Sequence, residues 1–584
     1  MRRWTCGFVL LVTAALVLGR DLESKRDSYQ VLRVRPSSAD DVTFLRELQR
    51  KYQLDVWRMA SRVHQLSDIL VSPHLKHEIR QLLDDFNLPH QVIIHDVERF
   101  LQVNDPLANR TRVARATSRG DYRNRYLSYT ELLEFLREVE LTSTQADVEV
   151  GSIGDSFEGR MTPYVKITGR NNTAAKGTIF IDAGVHSREW ISPAMTVEII
   201  HRLAYNVEND NAVTALLNLF DWIIVPLVNP DGYVFTFQPG IENRLWRKSR
   251  STMYSDLPRC YGVDLNRNFG YEWNNSPQSG GSADPCSGTF SGPRSFSEPE
   301  SRNLQQLLLR YRDRIQGYLS FHSFGQFFLY PWGYSIDARL EDEHDLYQVA
   351  LAFADTMKAR NYQYNIGGSA KVLYPAAGGS DDYVRGSVGV KYSYTVELPP
   401  HESSKYGFLL PESDVMSVVS DTWVGLKAFM LHLSRYTEPV PASSRTFQSP
   451  LTDTSPPQRA TSDKMLTKTG QFRQNFQRPE FFRTYISDEN RRKRQDGQPA
   501  KSRGFYTFRA FATKSRDRDN GTSLARLKRH KPYTKLDTKP YTKLDTKLDA
   551  KLDSGTSQAR WTKRQKPDRK DKLEQKYRPG YLGK

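Results

Sequence analysis

Apolar and polar residues alternate along "SYQVLRVRP" (28–36) in the two-residue rhythm of a half-buried strand. In "SADDVTFLRELQRKY" the apolar positions instead recur every three or four residues, behind Ser37 or Ser38 as an N-cap, which predicts a helix. Two strand-like runs follow, "LDVWRMA" and "LSDILVS", then a helical "HLKHEIRQLLDDFNL" and a last strand "HQVIIHDV". The order β-α-β-β-α-β is that of the split-βαβ sandwich, a small open α+β sheet with helices on one face. "NRTRVARATSRGDYRNRY" (109–126) then loses all apolar period and reads as an exposed, protease-sensitive linker.

From about Tyr126 to Arg435 strands alternate with helices, the strands being near-continuous apolar runs such as "GTIFIDAGV", "DWIIVPLVN", "GYLSFHSF" and "VKYSYTVEL". This predicts an α/β domain with a mixed, mostly parallel sheet, helices on both faces and its site at the strand ends. "SPAMTVEIIHRLAYN" carries Pro193 in its first turn, and "SEPESRNLQQLLLRYRDR" has the Ser/Glu spacing of a capping box. Beyond Glu438 the chain turns to Ser, Thr, Lys, Arg, Gln and Pro, with a short repeat in "KPYTKLDTKPYTKLDTKLDAKLD". Nothing there buries enough apolar surface to offset the entropy of ordering, so a disordered basic tail is expected. The expected division is 1–20, 21–115, 116–437 and 438–584.

Charge sharpens this division. Residues 441–584 carry about +21 of a net charge of +17, so the basic character belongs to the tail and the rest is close to neutral or slightly acidic. The first twenty residues, "MRRWTCGFVLLVTAALVLGR", pair two arginines with an apolar run short for a bilayer and read as a secretory signal peptide, with a signal anchor as the competing reading. No later segment is apolar enough to cross a membrane, and a secreted, extracellular protein is expected. Removal of that leader takes Cys6 and leaves Cys260 and Cys286, which flank a Gly/Ser/Pro-rich loop. In an oxidising compartment they are expected to form one disulfide, contributing about 2–4 kcal/mol; with no CxxC pattern, thiol ligation of a metal is the weaker alternative.

In "FIDAGVHSREWISPA" (180–194) an apolar run gives way to a helical one, and His186 and Glu189 sit three residues apart at the change. A catalytic zinc site typically joins two close ligands to a remote one and keeps a position open, and His322 in "YLSFHSFGQ" is the remote candidate. Each residue alone is equally compatible with a polar turn or a satisfied core histidine.

Taken together, the stretch from about Asp121 to Arg435 resembles the zinc metallocarboxypeptidases of the carboxypeptidase A/B family. "HSREW", "NPDGYVFT", "LWRK", "VDLNRNF", "FHSFGQ" and "KYSYTVEL" resemble that family's motifs, in order and at matching spacing. The upstream sandwich is similar to the family's inhibitory pro-domain. The resemblance implies one Zn2+ per chain on His186, Glu189 and His322, with Glu397 as general base. It implies Arg247 as the stabiliser of the oxyanion, Asn266 and Arg267 as the clamp on a substrate's terminal carboxylate, and Tyr374 as a mobile tyrosine closing over it. Asp381, directly after "GGS", corresponds to the floor of the side-chain pocket, where an aspartate favours C-terminal Lys or Arg. Capping of a turn by Asp381 and its neighbour Asp382 is the competing reading.

Two departures stand out: Phe324 where many relatives have tyrosine, and a segment from Asp381 to Glu397 one residue longer than usual. The resemblance further implies a zymogen, with Arg115 as the expected activation cut and Arg112 and Arg119 as alternatives. Asn109, Asn171, Asn274 and Asn520 are sequons, and "RRKRQ" around Arg494 is a possible processing site. The expected partners are peptides or proteins with a free C-terminal carboxylate, and for the tail an acidic polysaccharide or cell surface; nucleic acid is not expected in a secreted protein. The rival to a peptidase is a non-catalytic binder of C-terminal peptides.

Overall fold

The computed structural model describes residues 28–104, 122–170, 176–205 and 209–437. The leader at 1–20, Arg112, Arg115 and Arg119, the sequons at Asn109, Asn171 and Asn520, and the tail with Arg494 lie outside them.

The N-terminal layer follows the expected order: β1 (Gln30–Val34), α1 (Ala39–Tyr52), β2 (Asp55–Arg58), β3 (Ser67–Val71), α2 (Lys76–Asp85) and β4 (His90–Ile94). The sheet runs β2-β3-β1-β4 with antiparallel neighbours. Ser38, not Ser37, caps α1: its Oγ accepts from the Asp41 amide while the Asp41 carboxylate accepts from the Ser38 amide. Leu45, Leu48, Ile79 and Leu83 of the helices close on Leu32, Ile69 and Val71. "HQVIIHDV" stays a strand only to Ile94, because the Asp96 carboxylate accepts from the Arg99 amide at 2.8 Å and starts α3 (Val97–Asn104).

The larger layer contains α4 (Tyr129–Thr142), β5 (Ala146–Asp155), β6 (Met161–Gly169), β7 (Gly177–Ala183), α5 (Ile191–Tyr205), α6 (Asn211–Leu219), β8 (Phe220–Val225), α7 (Pro299–Tyr311), β9 (Ile315–Gly325), β10 (Phe327–Tyr330), α8 (Glu343–Lys358), β11 (Asn365–Gly368), β12 (Tyr392–His401) and α9 (Val415–Leu433). Its eight strands lie in the order β11-β10-β12-β9-β7-β8-β6-β5. The centre, β12-β9-β7-β8, is parallel, and antiparallel pairs appear toward the edges. Ile179 and Ile181 pack into the core shared by α4, α5, α6, α8 and α9, and Phe180 between them packs into a second core built on α7. Burial on both faces is why these strands read as continuous apolar runs; each such side chain contributes about 1.5–3 kcal/mol.

The expected capping box on α7 does not form. Glu298 is the N-cap residue, Ser297 Oγ donates to Glu298 Oε1, and Glu300 is drawn away to accept from the Phe157 amide. The disulfide does form, joining Cys260 and Cys286 across 26 residues.

Candidate active site and metal centre

Strand β7 ends at Ala183, and Gly184 turns the chain at φ +65°, where a Cβ would lie 2.6 Å from Leu227. That turn lets His186 and Glu189 converge before α5 begins, with His186 Nδ1 2.9 Å from Glu189 Oε1. From β9, His322 Nδ1 reaches Glu189 Oε2 at 3.0 Å and His186 Nδ1 at 3.1 Å. All three residues are buried. Zinc–imidazole bonds are about 2.0–2.1 Å, so two nitrogens on one tetrahedral zinc stand roughly 3.3 Å apart. The two Nδ1 atoms are close to that spacing, with a carboxylate beside them.

The outer nitrogens are also occupied. His186 Nε2 donates to Asp264 Oδ1 at 3.0 Å, and His322 Nε2 meets Ser320 Oγ at 3.1 Å. The donor set therefore fits zinc. Electrostatics agree: burial opposes ionisation of Glu189, but His186 and His322 facing it hold its carboxyl below the usual range, and Glu189 in turn raises His322 to about 9 against burial. A dication replaces such protons.

Parallel pairing of β12 with β9 sets Glu397 directly beside His322. Glu397 Oε2 is buried with no hydrogen-bond partner among the described residues, and burial raises its carboxyl to about 8. Arg247 Nε and Nη2 donate to Asp264 Oδ2 at 3.0 and 2.9 Å, and Nη1 stands 3.7 Å from Glu189 Oε1. Asp264 thus orients a metal ligand and an arginine at once. Its carboxylate, two residues before the Asn-Arg pair in "VDLNRNF", is the sequence signal for this role, and the motif alone does not single it out.

Arg267 donates through Nε to Gly280 O and through Nη1 to Asn266 O, and Nη2 makes no hydrogen bond among the described residues. The Tyr374 ring lies 6.0 Å from its guanidinium. Asn266 Oδ1 accepts from the Ser380 amide at 2.9 Å, and Gly378, at φ +78°, lies where a Cβ would be 2.4 Å from Arg267 O. The glycine so allows the Asn266–Arg267 segment and the segment bearing Asp381 to pack backbone to backbone.

The two adjacent aspartates diverge. Asp382 accepts from the Gly333 and Tyr334 amides and serves the turn. Asp381, 5 % exposed, accepts from Ser369 Oγ at 3.1 Å, and no lysine or arginine pairs with it among the described residues. Burial raises both carboxyls and that of nearby Asp182, the last to about 6, and Asp381 adds to the rise of the other two.

Residues 132–425 match the zinc carboxypeptidase family, and residues 32–103 match the carboxypeptidase activation peptide. The chain belongs to the zinc carboxypeptidase family. It is 37% identical over 398 residues to carboxypeptidase B of Helicoverpa zea, covering 65% of this chain and 88% of that one. It is 33% identical over 430 residues to carboxypeptidase A1 of Bos taurus, covering 72% and 98%. Among solved structures, carboxypeptidase A from Helicoverpa armigera superposes with a TM-score of 0.63 at 31% identity, over 70% of this chain and 98% of that one. Thrombin activatable fibrinolysis inhibitor gives 0.62 at 31%, over 70% and 100%. The protein is a zinc carboxypeptidase made with an activation peptide.

That peptide lies over the site. Asp55 accepts from Arg188 Nη1, beside ligand Glu189, at 2.7 Å, and Trp57 packs edge-on against Phe408. Ser61 Oγ donates to Leu373 O, next to Tyr374. Arg33 pairs with Asp68 and donates to the carbonyls of Glu402, Ser403 and Ser404, while Arg58 bridges Asp68 and the Glu402 carboxylate.

Both departures from the family pattern are absorbed locally. Phe324 packs edge-on against Phe408 at 5.0 Å, in the cluster that Trp57 joins. Within the segment expected to be one residue longer, Val384–Val388 forms one π-helical turn, and Glu397 keeps its register with His322.

Proposed function

We propose that this zymogen, once cut, removes C-terminal Lys or Arg from peptides, with Asp381 as the selecting residue. The observation carrying the proposal is a buried carboxylate without a cationic partner among the described residues, close to two further buried acids. Such a group is costly to ionise alone, and a bound lysine or arginine side chain would offset that cost where an apolar one would not. Relatives named carboxypeptidase A and carboxypeptidase B match at similar identity, so the reading rests on Asp381.

His186, Glu189 and His322 would hold zinc, which would supply a Lewis acid and make water a better nucleophile near neutral pH. Glu397, whose Oε2 has no hydrogen-bond partner among the described residues, accepts the proton of the attacking water and delivers it to the departing amine. Arg247, oriented by Asp264, offers its charge to the oxygen on which negative charge grows. Arg267 and Asn266 bind the terminal carboxylate, and Tyr374 closes over it. Because the clamp and the pocket floor share the Asn266–Ser380 bond, carboxylate and side chain of the last residue are read together.

Secretion behind the 1–20 leader, activation after Arg115 and retention on acidic polysaccharide through the tail complete the proposal. The disulfide and the activation peptide support the first two, and the charge of 441–584 supports the third. The test is residue release by trypsin-treated protein from blocked dipeptides ending in Arg or Phe, with and without a zinc chelator. Chelator-sensitive Arg release is expected; a Phe preference would overturn the role of Asp381.

A further inference from the structure

We propose that Tyr318, Ser320 and Asp182 form a positioning relay that fixes His322 with its Nδ1 free for the metal. The relay rests on the zinc assignment but concerns groups outside the ligand set. Tyr318, Ser320 and His322 are alternate residues of β9 and so lie on one face of it. Asp182 of β7 pairs in register with Ser320. All four are essentially inaccessible to solvent.

The donors and acceptors allow one arrangement. The Asp182 carboxylate can only accept: Oδ1 takes the Ser320 hydroxyl at 2.7 Å and Oδ2 takes the Tyr318 hydroxyl at 2.5 Å. With its one proton committed to Asp182, Ser320 Oγ meets His322 Nε2 at 3.1 Å as an acceptor. Nε2 therefore keeps its proton on Ser320, and Nδ1, facing Glu189 and His186, is the nitrogen turned to the metal. His186 reaches the same state by donating directly to Asp264. Tyr318 completes the relay by holding Asp182, whose charge would otherwise face an apolar layer containing Phe180.

The readout is zinc affinity, measured on the full chain by competition with a chromophoric chelator. Ser320→Ala leaves Nε2–H buried without an acceptor, and about 10- to 100-fold weaker binding is expected. Asp182→Asn should weaken binding less, Tyr318→Phe least, and Ser320→Thr, which keeps the hydroxyl, should bind more tightly than Ser320→Ala. Ser393→Ala removes an equally buried hydroxyl from β12 that does not touch a ligand, and should keep wild-type affinity. Wild-type affinity in Ser320→Ala overturns the relay, as does an equal loss in Ser393→Ala. If Ser320→Ala does not fold, wild-type affinity in both Asp182→Asn and Tyr318→Phe overturns it. Failure of the wild-type chain itself to bind zinc would overturn the zinc assignment, whereas the variant outcomes above bear on the relay alone.

Discussion

Glu189, Asp264, Arg247 and the two histidines satisfy one another within the catalytic layer, whereas Arg33, Arg58 and Asp68 complete their bonds only on Glu402, Ser403 and Ser404 across the boundary. Both regions bury charge and hold it with arginine–carboxylate pairs, Arg33 bidentate on the two oxygens of Asp68 and Arg247 with two N–H groups on one oxygen of Asp264. The difference lies in where the partners come from. The metal cradle needs nothing from the activation peptide, so it is complete before activation. The covering face is incomplete on either side alone, so its burial energy exists only while the two layers stay docked. Inhibition then acts by covering a finished site, and release of the peptide requires no rebuilding of the cradle.

The largest expected effect falls wholly inside the cradle. Glu397→Gln removes the proton acceptor and should lower kcat by about 10²–10⁴-fold in the activated enzyme. Zinc content and peptide docking should be unchanged, which atomic absorption and the residual activity of the uncut protein would check. A loss of zinc would mean that Glu397 holds the cradle together and that the two regions are less separable than argued.

Asp381→Ile tests the pocket within the same layer. Removing one member of a desolvated charge pair costs roughly 3–5 kcal/mol, so the preference for Arg over Phe, as a ratio of kcat/KM, should fall by about 10²–10⁴-fold. Release of C-terminal Phe should rise or hold, since the clamp at Arg267 and the base are untouched.

Asp68→Ala moves the test to the covering face. It strands two buried arginine side chains, and docking should weaken by up to about 3–5 kcal/mol. Uncut protein should then hydrolyse peptide measurably, while the fully activated enzyme keeps wild-type kcat/KM. No gain in the uncut protein would place the energy of covering elsewhere, in the Trp57–Phe408 contact.

The fate of these regions also separates what could be read from sequence. The β-α-β-β-α-β order and the α/β layer were legible because strand and helix periods are local; His186, Glu189 and His322 were candidates where apolar runs give way, and only the resemblance to the carboxypeptidase family joined them into one zinc set. Partners made by tertiary approach were not. Asp264, Asp55 and Arg188 look like ordinary surface charges in one dimension, and only folding brings Asp55 to Arg188 across 133 positions. The Ser/Glu spacing before α7 misled for the same reason: the Phe157 amide, far off in sequence, outcompetes the local cap for Glu300. Tyr318, Ser320 and His322 did leave a trace, three polar-tipped residues at alternate positions of an otherwise apolar strand.

Glu300 offers a third way of burying charge, with one oxygen on the Phe157 amide and the other unpartnered among the described residues. Burial raises its carboxyl from 4.5 to about 8. A raised carboxyl holds its proton in the folded chain after the unfolded chain has released it. Its contribution to stability is therefore full below about pH 4.5 and lost as pH rises to about 8, by a few kcal/mol. Glu300→Gln should flatten the fall of Tm over that window, and an unchanged slope would show that Glu300 ionises freely.

The smallest expected effect on activity comes from a second loop that touches both regions, after the His186–Glu189 turn whose Arg188 meets Asp55. Between Cys260 and Cys286, Pro285 O accepts from Lys248 Nζ, next to Arg247, and Asp284 accepts from Gln53 of the activation peptide. Replacing both cysteines by serine should lower stability by about 2–4 kcal/mol, read by denaturant unfolding. If cradle and cover are independent, the activated double variant keeps kcat to within a few-fold, because Arg247 is fixed by Asp264 and not by the loop. A large fall in kcat would instead show that the loop transmits strain to Arg247, and the distinction between a finished cradle and a detachable cover would have to be redrawn around the disulfide.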